Sequence, residues 1–214
     1  MSFWREVTVL IKSQPHPIRH FDVIGMLHVQ SAIDDRLNAL GLTWPDPPPT
    51  VGHYRPVVVR QGLGVVSGQF PWEQGRLATS GRVGMEVELI DARRAAATAA
   101  LNCIAHIRAA TGFAGFEGLL RLEGYIAAAP GFQQVPRVLD GASELLLGVL
   151  GPTLGEHARS VVSVAELPLA ATVELVVTFA VGVAPVRRGV RRARRRVAET
   201  RTASFSRRNR PSNG

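Results

Sequence analysis

HARSVVSVAELPLAATVELVVTF, residues 157–179, carries two runs of β-branched residues on either side of a Leu-Pro-Leu sequence. This pattern predicts two strands joined by a short proline-containing turn. Arg159 stands at the start of the first strand, and Glu174 lies inside the apolar second strand. A charge inside an apolar strand is costly unless it has a partner or a task. We therefore expect the chemistry of this chain at Arg159 and Glu174.

The rest of the chain supplies partners for these two strands. Two apolar, β-branched runs around Gln61-Gly62 predict a hairpin, and an Ala-rich run with apolar residues at helical spacing predicts a long helix. The predicted elements are strands at 55–60, 64–69 and 118–129, and helices at 85–111 and 136–150, the last stopped by Gly151-Pro152. The order β-β-α-β-α-β-β predicts an α+β fold in which one sheet carries both helices on one face.

The second face of the predicted sheet also has to be covered. Val162, Val164, Val173 and Val177 indicate that this face is apolar. An exposed apolar face marks an interaction site, and another copy of the chain is the simplest cover. The domain is therefore expected to form a homo-oligomer.

Composition separates the chain into three segments. Ser31 has acids in the turns that follow it, as an N-cap residue does, and so predicts the start of a short amphipathic helix. The predicted segments are an irregular extension at 1–30, a domain at 31–183 with its N-terminal helix at 31–42 and a proline-rich linker at 43–50, and an Arg-rich disordered tail at 184–214.

The net charge of +8 is concentrated at one end of the chain. Residues 185–214 hold eleven arginines and one acid, which makes this segment +10 and leaves a sum of −2 for the other 184 residues. An arginine-rich segment attracts phosphates by charge alone. Contact with nucleic acid is therefore expected only through the tail.

Cysteine, histidine and hydropathy patterns narrow the class of protein further. The single cysteine, Cys103, excludes an internal disulfide framework and fits a reducing cytoplasm. The six histidines are scattered without the spacing of a zinc site, so no metal is expected. Glu174 interrupts the longest apolar run before it reaches the ~18 residues of a membrane helix, so no membrane contact is expected.

Several motifs follow one another at regular positions along the domain. They are VGHYRPVVV (51–59), VVSGQFP (65–71), AALNCIAHIRAATG (99–112), ARSVVSVAELP (158–168) and VELVVTF (173–179). In this order they resemble the RidA/YjgF family of reactive imine and enamine deaminases, over residues 31–183. The resemblance implies a chorismate-mutase-like fold, a homotrimer with clefts between its subunits, and a reaction that uses no cofactor.

The resemblance also implies roles for individual residues. Arg159 would bind the carboxylate of a 2-imino acid or its enamine tautomer, such as 2-aminoacrylate, and Glu174 would position water to give a 2-keto acid and ammonia. The residues that would bind substrate together with Arg159 are Tyr54, Ser67, Gly68, Gln69 and Ser160. The chemistry agrees, because arginine binds carboxylates bidentately. An imine carbon is already electrophilic, so one carboxylate that orients water is enough.

Two departures from the family pattern and three alternatives stand beside this interpretation. Val161 replaces a frequent cysteine, and Pro136 or Asp140 falls where the family has an asparagine on the second helix. Arg159 could instead form a structural salt bridge with Glu174. The same cleft could bind a small carboxylate or keto acid without turnover, as a regulatory trimer. The older family labels of endoribonuclease and translation inhibitor indicate an RNA-directed role.

Overall fold

The computed structural model describes residues 20–50 and 52–182. The helices are α1 (His20–Ala39), α2 (Leu89–Thr111) and α3 (Val135–Leu154). The strands are β1 (Val57–Arg60), β2 (Leu63–Gln69), β3 (Trp72–Glu73), β4 (Arg76–Leu77), β5 (Phe116–Ala127), β6 (Ala158–Val164) and β7 (Val173–Val181). A 3-10 turn, Pro168–Ala170, precedes β7.

Five of the strands form one mixed sheet in the order β1-β2-β7-β5-β6. Strands β5 and β6 are parallel because α3 crosses between them, whereas the other pairs are antiparallel. The strands β3 and β4 form a separate two-stranded hairpin that the sequence did not predict. The predicted α+β class and the predicted order of the main elements are confirmed.

The prediction of two strands within residues 157–179 is confirmed, but these strands are not neighbours in the sheet. Strand β5 lies between them and pairs with both. At the end of β5, the N–H of Ala127 donates to the carbonyl of Thr172 and the N–H of Ala128 donates to the carbonyl of Val164. The turn at 165–172 therefore passes over the end of β5 and does not close a hairpin.

Local turn chemistry fixes the predicted hairpin and the end of the long helix. Gln61 and Gly62 both have positive φ, 49° and 84°, as the two-residue turns that match the twist of a hairpin require. Gly112 ends α2 in the left-handed conformation, and its N–H donates to the carbonyl of Arg108 at 2.7 Å. The helix begins at Leu89, four residues later than predicted.

Two further predicted helix boundaries are wrong. Helix α1 begins at His20, so residues 20–30 are helical and Ser31 is an interior residue instead of an N-cap. The segment after Pro17 contains no proline, and nothing in it prevents the helix from starting earlier. Helix α3 is broken at Gly151 as predicted, with φ 81° and ψ 171°, but one further turn continues to Leu154. Residues 1–19 and the tail at 184–214 lie outside the described residues.

The N-terminal helix is anchored on the domain and leads into the proline-rich linker. Arg36 of α1 donates to the carbonyl of Leu150, where α3 breaks. The indole Nε1 of Trp44 donates to Oδ1 of Asp34 at 2.6 Å, and the guanidinium of Arg108 lies 5.1 Å from the centre of the Trp44 ring. These contacts fix the point at which the linker leaves α1.

One face of the sheet is covered by α2 and α3. Alternate residues of β7 are fully buried there, namely Val173, Leu175, Val177 and Phe179. The prediction that Val173 and Val177 line the uncovered face is therefore wrong, because the register pairs Val177 with the buried Leu122. Cys103 of α2 is fully buried against the same strand, and burial raises the pKa of its thiol.

The opposite face of the sheet is open within the described residues. Val162 is exposed there and Val164 is half-buried, in agreement with the prediction that this face is apolar. Val58 and Val65 pair with each other on the same face and are also exposed. An aliphatic surface of this kind favours coverage by another protein surface.

The crossing of α2 and α3 generates a prediction about stability. A Cβ at Gly141 of α3 would overlap the carbonyl oxygen of Arg93 in α2. We expect Gly141→Ala to lower the free energy of unfolding by roughly 1–3 kcal/mol, because the helices have to move apart. Urea-induced unfolding of the variant and the wild type measures this difference.

Gly148→Ala on the same helix is the matched control. Its Cβ would meet only the side-chain end of Leu40, at 3.2 Å. Alanine favours the helix over glycine by about 1 kcal/mol, so this variant should be neutral or stabilised. Equal loss of stability in both variants would contradict the close approach at Gly141.

Candidate functional site

A cavity of about 430 Å³ opens where β2 ends and β7 begins. We call it the Glu174 cleft. Five of the predicted site residues line it, namely Tyr54, Ser67, Gly68, Gln69 and Glu174. The other lining residues are Pro48, Pro49, Thr50, Phe70, Trp72, Pro168 and Leu169. The fold thus brings together most of the residues that the motifs indicated.

A β-bulge shapes the wall of the Glu174 cleft that β2 supplies. The register with β7 shifts by one residue between Val66 and Gln69, so Ser67 and Gly68 bend away from regular pairing. The side-chain Nε2 of Gln69 donates to the carbonyl and to Oγ of Ser67, at 3.1 and 3.3 Å. The N–H of Ser67 donates to the carbonyl of Pro56 at 2.9 Å. These bonds hold the bulge in one conformation.

The carboxylate of Glu174 lies directly against Gly68. A Cβ at Gly68 would overlap Oε1 of Glu174, so only glycine permits this approach. Among the described residues no hydrogen bond or ion pair reaches the Glu174 carboxylate, which is half-buried. Burial raises its pKa above the ordinary value of 4.5. A carboxyl whose pKa moves towards neutrality is well placed to take a proton from water and return it.

Arg159 lies outside the Glu174 cleft, on the face of the sheet that α2 and α3 cover. Its Nη2 donates to Oδ1 of Asp140 at 2.7 Å, and its Nη1 donates to Oγ of Ser143 at 3.1 Å. The alternative of a salt bridge between Arg159 and Glu174 is wrong, because the partner of Arg159 is Asp140. About a third of the Arg159 side chain remains exposed to solvent.

The sheet register separates Arg159 from Glu174 within one protomer. Leu122 of β5 pairs with Arg159 on one side and with Val177 on the other, so Arg159 is level with Val177 and three residues from Glu174. Strand spacing and rise then place the Cα atoms of Arg159 and Glu174 roughly 14 Å apart. Glu174 also points to the opposite face of the sheet from Val177. One protomer cannot bring both side chains to one small substrate.

Ser160 is also outside the Glu174 cleft. It lies on the open face of the sheet, where Arg121 donates to its Oγ at 3.5 Å. Arg121 forms an ion pair with Glu123 at 2.9 Å. The neighbours of Ser160 are therefore a charged pair on the strand surface.

Within residues 20–50 and 52–182, no group of three or more His, Cys, Asp or Glu side chains is arranged to hold a metal ion. The helices of the same part of the chain are too short or too polar to cross a membrane.

Comparison with known proteins decides the family. A family model described as "YjgF/chorismate mutase-like, putative endoribonuclease" matches residues 34–181. The chain belongs to the RidA/YjgF family. The matched range contains the whole five-stranded sheet and both helices that cover it.

Relatives support this assignment. The protein Atu1372 of Agrobacterium tumefaciens, of unknown function, is 34% identical with a TM-score of 0.69, over 74% of this chain and 98% of its own. A Shewanella oneidensis protein named a putative endoribonuclease is 31% identical with a TM-score of 0.67, over 70% and 99%. Protein TCP17 of Trypanosoma cruzi is 33% identical over 111 residues, which are 51% of this chain and 69% of TCP17.

Sequence motifs of the RidA/YjgF family did not indicate the surroundings of Arg159. Ser143 accepts a hydrogen bond from Arg159 and lies 3.1 Å from Nε2 of His157. His157 Nδ1 lies 2.6 Å from the carbonyl of Gly155, which can only accept, so Nδ1 carries a proton, and in the neutral imidazole Nε2 then accepts from Ser143. The i, i+3 spacing of Asp140 and Ser143 puts them on one face of α3. The sequence does not show that β6 passes beside that face.

The raised pKa of Glu174 generates a second prediction. The folded protein holds the Glu174 proton more tightly than the unfolded chain does. The stability that this carboxyl contributes is therefore fully present below pH 4.5 and is lost as the pH rises through the raised pKa of the folded state. Glu174→Gln removes the titration. We expect the variant to match the wild type in acid and to be more stable at neutral pH.

Urea-induced unfolding of wild type and Glu174→Gln across this pH range makes the comparison. The informative quantity is the difference in free energy of unfolding between the two proteins at each pH. A difference that stays constant with pH would show that burial does not perturb the Glu174 carboxyl.

Proposed function

We propose that the chain is a homotrimeric deaminase that hydrolyses 2-imino acids, or their enamine tautomers, to 2-keto acids and ammonia. The observation that carries this proposal is the Glu174 carboxylate, which is half-buried and unpaired among the described residues and lies in a cavity of ligand-binding size. A carboxyl in this state favours proton transfer to and from a bound water. The family membership and the motif residues in the same cavity agree with it.

The reaction needs one base and one site for the substrate carboxylate. Glu174 takes a proton from water as the oxygen attacks C2 of the protonated imine, which forms a C–O bond and moves the C=N electron pair to nitrogen. Glu174 then returns the proton to the nitrogen. The C–N bond breaks, ammonia leaves, and loss of the hydroxyl proton gives the keto acid. The net change from the protonated imine is the addition of one water and the release of one ammonia and one proton.

Arg159 would bind the substrate carboxylate from a neighbouring subunit. Within one protomer Arg159 and Glu174 lie on different faces of the sheet, so a shared site has to combine two copies of the chain. The guanidinium has five N–H donors, and bonds to Asp140 and Ser143 use two of them in the described residues. Three donors remain for a carboxylate. The exposed valines of the open sheet face supply an apolar surface for subunit contact.

An RNA-directed function is the second candidate, because the Shewanella relative and the family description both carry the endoribonuclease label. Charge opposes it for the domain itself, since residues outside 185–214 sum to −2. Removal of residues 185–214 separates the two functions. We expect the shortened protein to keep deamination and to lose any RNA binding, which would assign that binding to the tail. The single cysteine agrees with a cytoplasmic location.

Mixed oligomers of Arg159→Ala and Glu174→Gln test the shared site. Each variant alone should lose nearly all acceleration of imine hydrolysis. If the two residues of one site come from different subunits, random mixing after unfolding and refolding together should restore about a quarter of the wild-type rate. The measurement is keto-acid or ammonia release from freshly generated imine.

Arg94→Ala is the control for folding and assembly, because Arg94 is an exposed residue of α2 that pairs with Asp91 and lies outside the Glu174 cleft. Mixtures with no recovered activity would place both residues of a site in one subunit and would contradict the assembly proposed. A wild-type trimer that binds a keto acid but does not accelerate hydrolysis would replace the deaminase with a regulatory binding protein.

A further inference from the structure

The walls of the Glu174 cleft are mostly apolar. Proline, aromatic and leucine side chains contribute most of the lining, namely Pro48, Pro49, Phe70, Trp72, Pro168 and Leu169. Glu174 supplies the only carboxylate among the described lining residues. A wall of this composition offers little to a small polar acid beyond the contacts of its polar head.

The size of the cavity also favours a ligand larger than a small polar acid. About 430 Å³ lies within the range of sites that hold drug-sized ligands, whereas the imino acid derived from alanine has about six non-hydrogen atoms. Within one protomer, such a ligand would leave most of the apolar wall uncovered. A larger apolar side chain on the substrate would remove that surface from water.

Leu169 is held in the wall by a strained turn. Leu169 and the following Ala170 have φ of 60° and 53°, a left-handed conformation that non-glycine residues rarely adopt. The N–H of Gly81 donates to the carbonyl of Ala170 at 2.8 Å and holds this conformation. Strain of this kind concentrates at ligand sites. The Leu169 side chain is 60% exposed, so burial in the core does not explain the strain.

Hydrogen bonds to the domain anchor other parts of the wall. Nδ2 of Asn102 in α2 donates to the carbonyls of Phe70 and Trp72 at 3.0 Å each, which fixes that strip to the domain. Pro48 and Pro49 have fixed φ and follow the anchored Trp44. A preformed apolar wall loses little entropy when a ligand binds.

We infer that the Glu174 cleft selects 2-imino acids with branched aliphatic or aromatic side chains over those derived from alanine or serine. The inference rests on the deaminase function proposed above and names its substrate class. The side chain of the substrate packs against Leu169, Trp72 and the two linker prolines, while its C2 atom meets water held by Glu174.

Competition assays on the full chain test the preference. Imines are generated in place from L-alanine, L-leucine or L-phenylalanine by an L-amino-acid oxidase, and semicarbazide competes for them, so deamination lowers the absorbance of the semicarbazone. We expect kcat/KM for the leucine- and phenylalanine-derived imines to exceed that for the alanine-derived imine by at least about tenfold. Leu169→Ala should reduce this ratio about threefold or more.

Leu40→Ala is the matched control, because Leu40 is a similarly exposed leucine, at 51%, outside the cavity lining. In this variant the ratio of kcat/KM for the larger imines to that for the alanine-derived imine should equal the wild-type ratio. Equal or faster turnover of the alanine-derived imine would overturn the inference and leave the deaminase intact. A ratio that Leu169→Ala leaves unchanged would also overturn it. Failure to accelerate any of the three imines would instead overturn the proposed function.

Discussion

The burial of one side of β7 beneath α2 and α3 constrains every other part of the site. Leu175, Val177 and Phe179 are fully buried there, and side chains alternate along a strand, so Glu174 has to point to the open face. Gly68, in the β-bulge of β2, has no side chain, and this leaves space for the Glu174 carboxylate. The result is a carboxylate in partial desolvation without a partner among the described residues. Its energetic cost is offset by the apolar core that the alternate residues of β7 form on the other face of the sheet.

Arg159 illustrates how the same sheet separates the two groups that the proposed deamination needs together. Its contacts with Asp140 and Ser143 hold the guanidinium on α3, and this arrangement leaves part of it exposed. Two half-sites of opposite charge on one protomer are complementary to each other. Assembly around a symmetry axis would bring unlike halves together repeatedly, so the number of complete sites would equal the number of subunits in a closed ring.

Short sequence motifs correctly predicted the turns and helix ends whose conformation depends on neighbouring residues alone. Gln61-Gly62 specified the hairpin and Gly112 specified the end of α2, because each needs a backbone conformation that few residues adopt. The family motifs also predicted five of the residues that line the Glu174 cleft. The side of the sheet on which Val173 and Val177 lie was missed, because Val176 is apolar too and the alternation is weak. The pairing of Arg159 with Asp140 depends on a contact between β6 and α3, and nothing in either segment alone reveals it.

The anchoring of α1 has a consequence for how this branch of the family can diverge. The linker that walls the cavity is positioned by Trp44, Asp34 and Arg36, all of which lie before the first strand of the sheet. Changes confined to this N-terminal segment can therefore reshape the cavity while the strands and the Glu174 carboxyl stay as they are. The linker part of the cavity wall and Glu174 are thus encoded in separate stretches of the gene, so the linker can evolve with little penalty to the carboxyl, whereas Leu169 of the same wall lies five residues before Glu174.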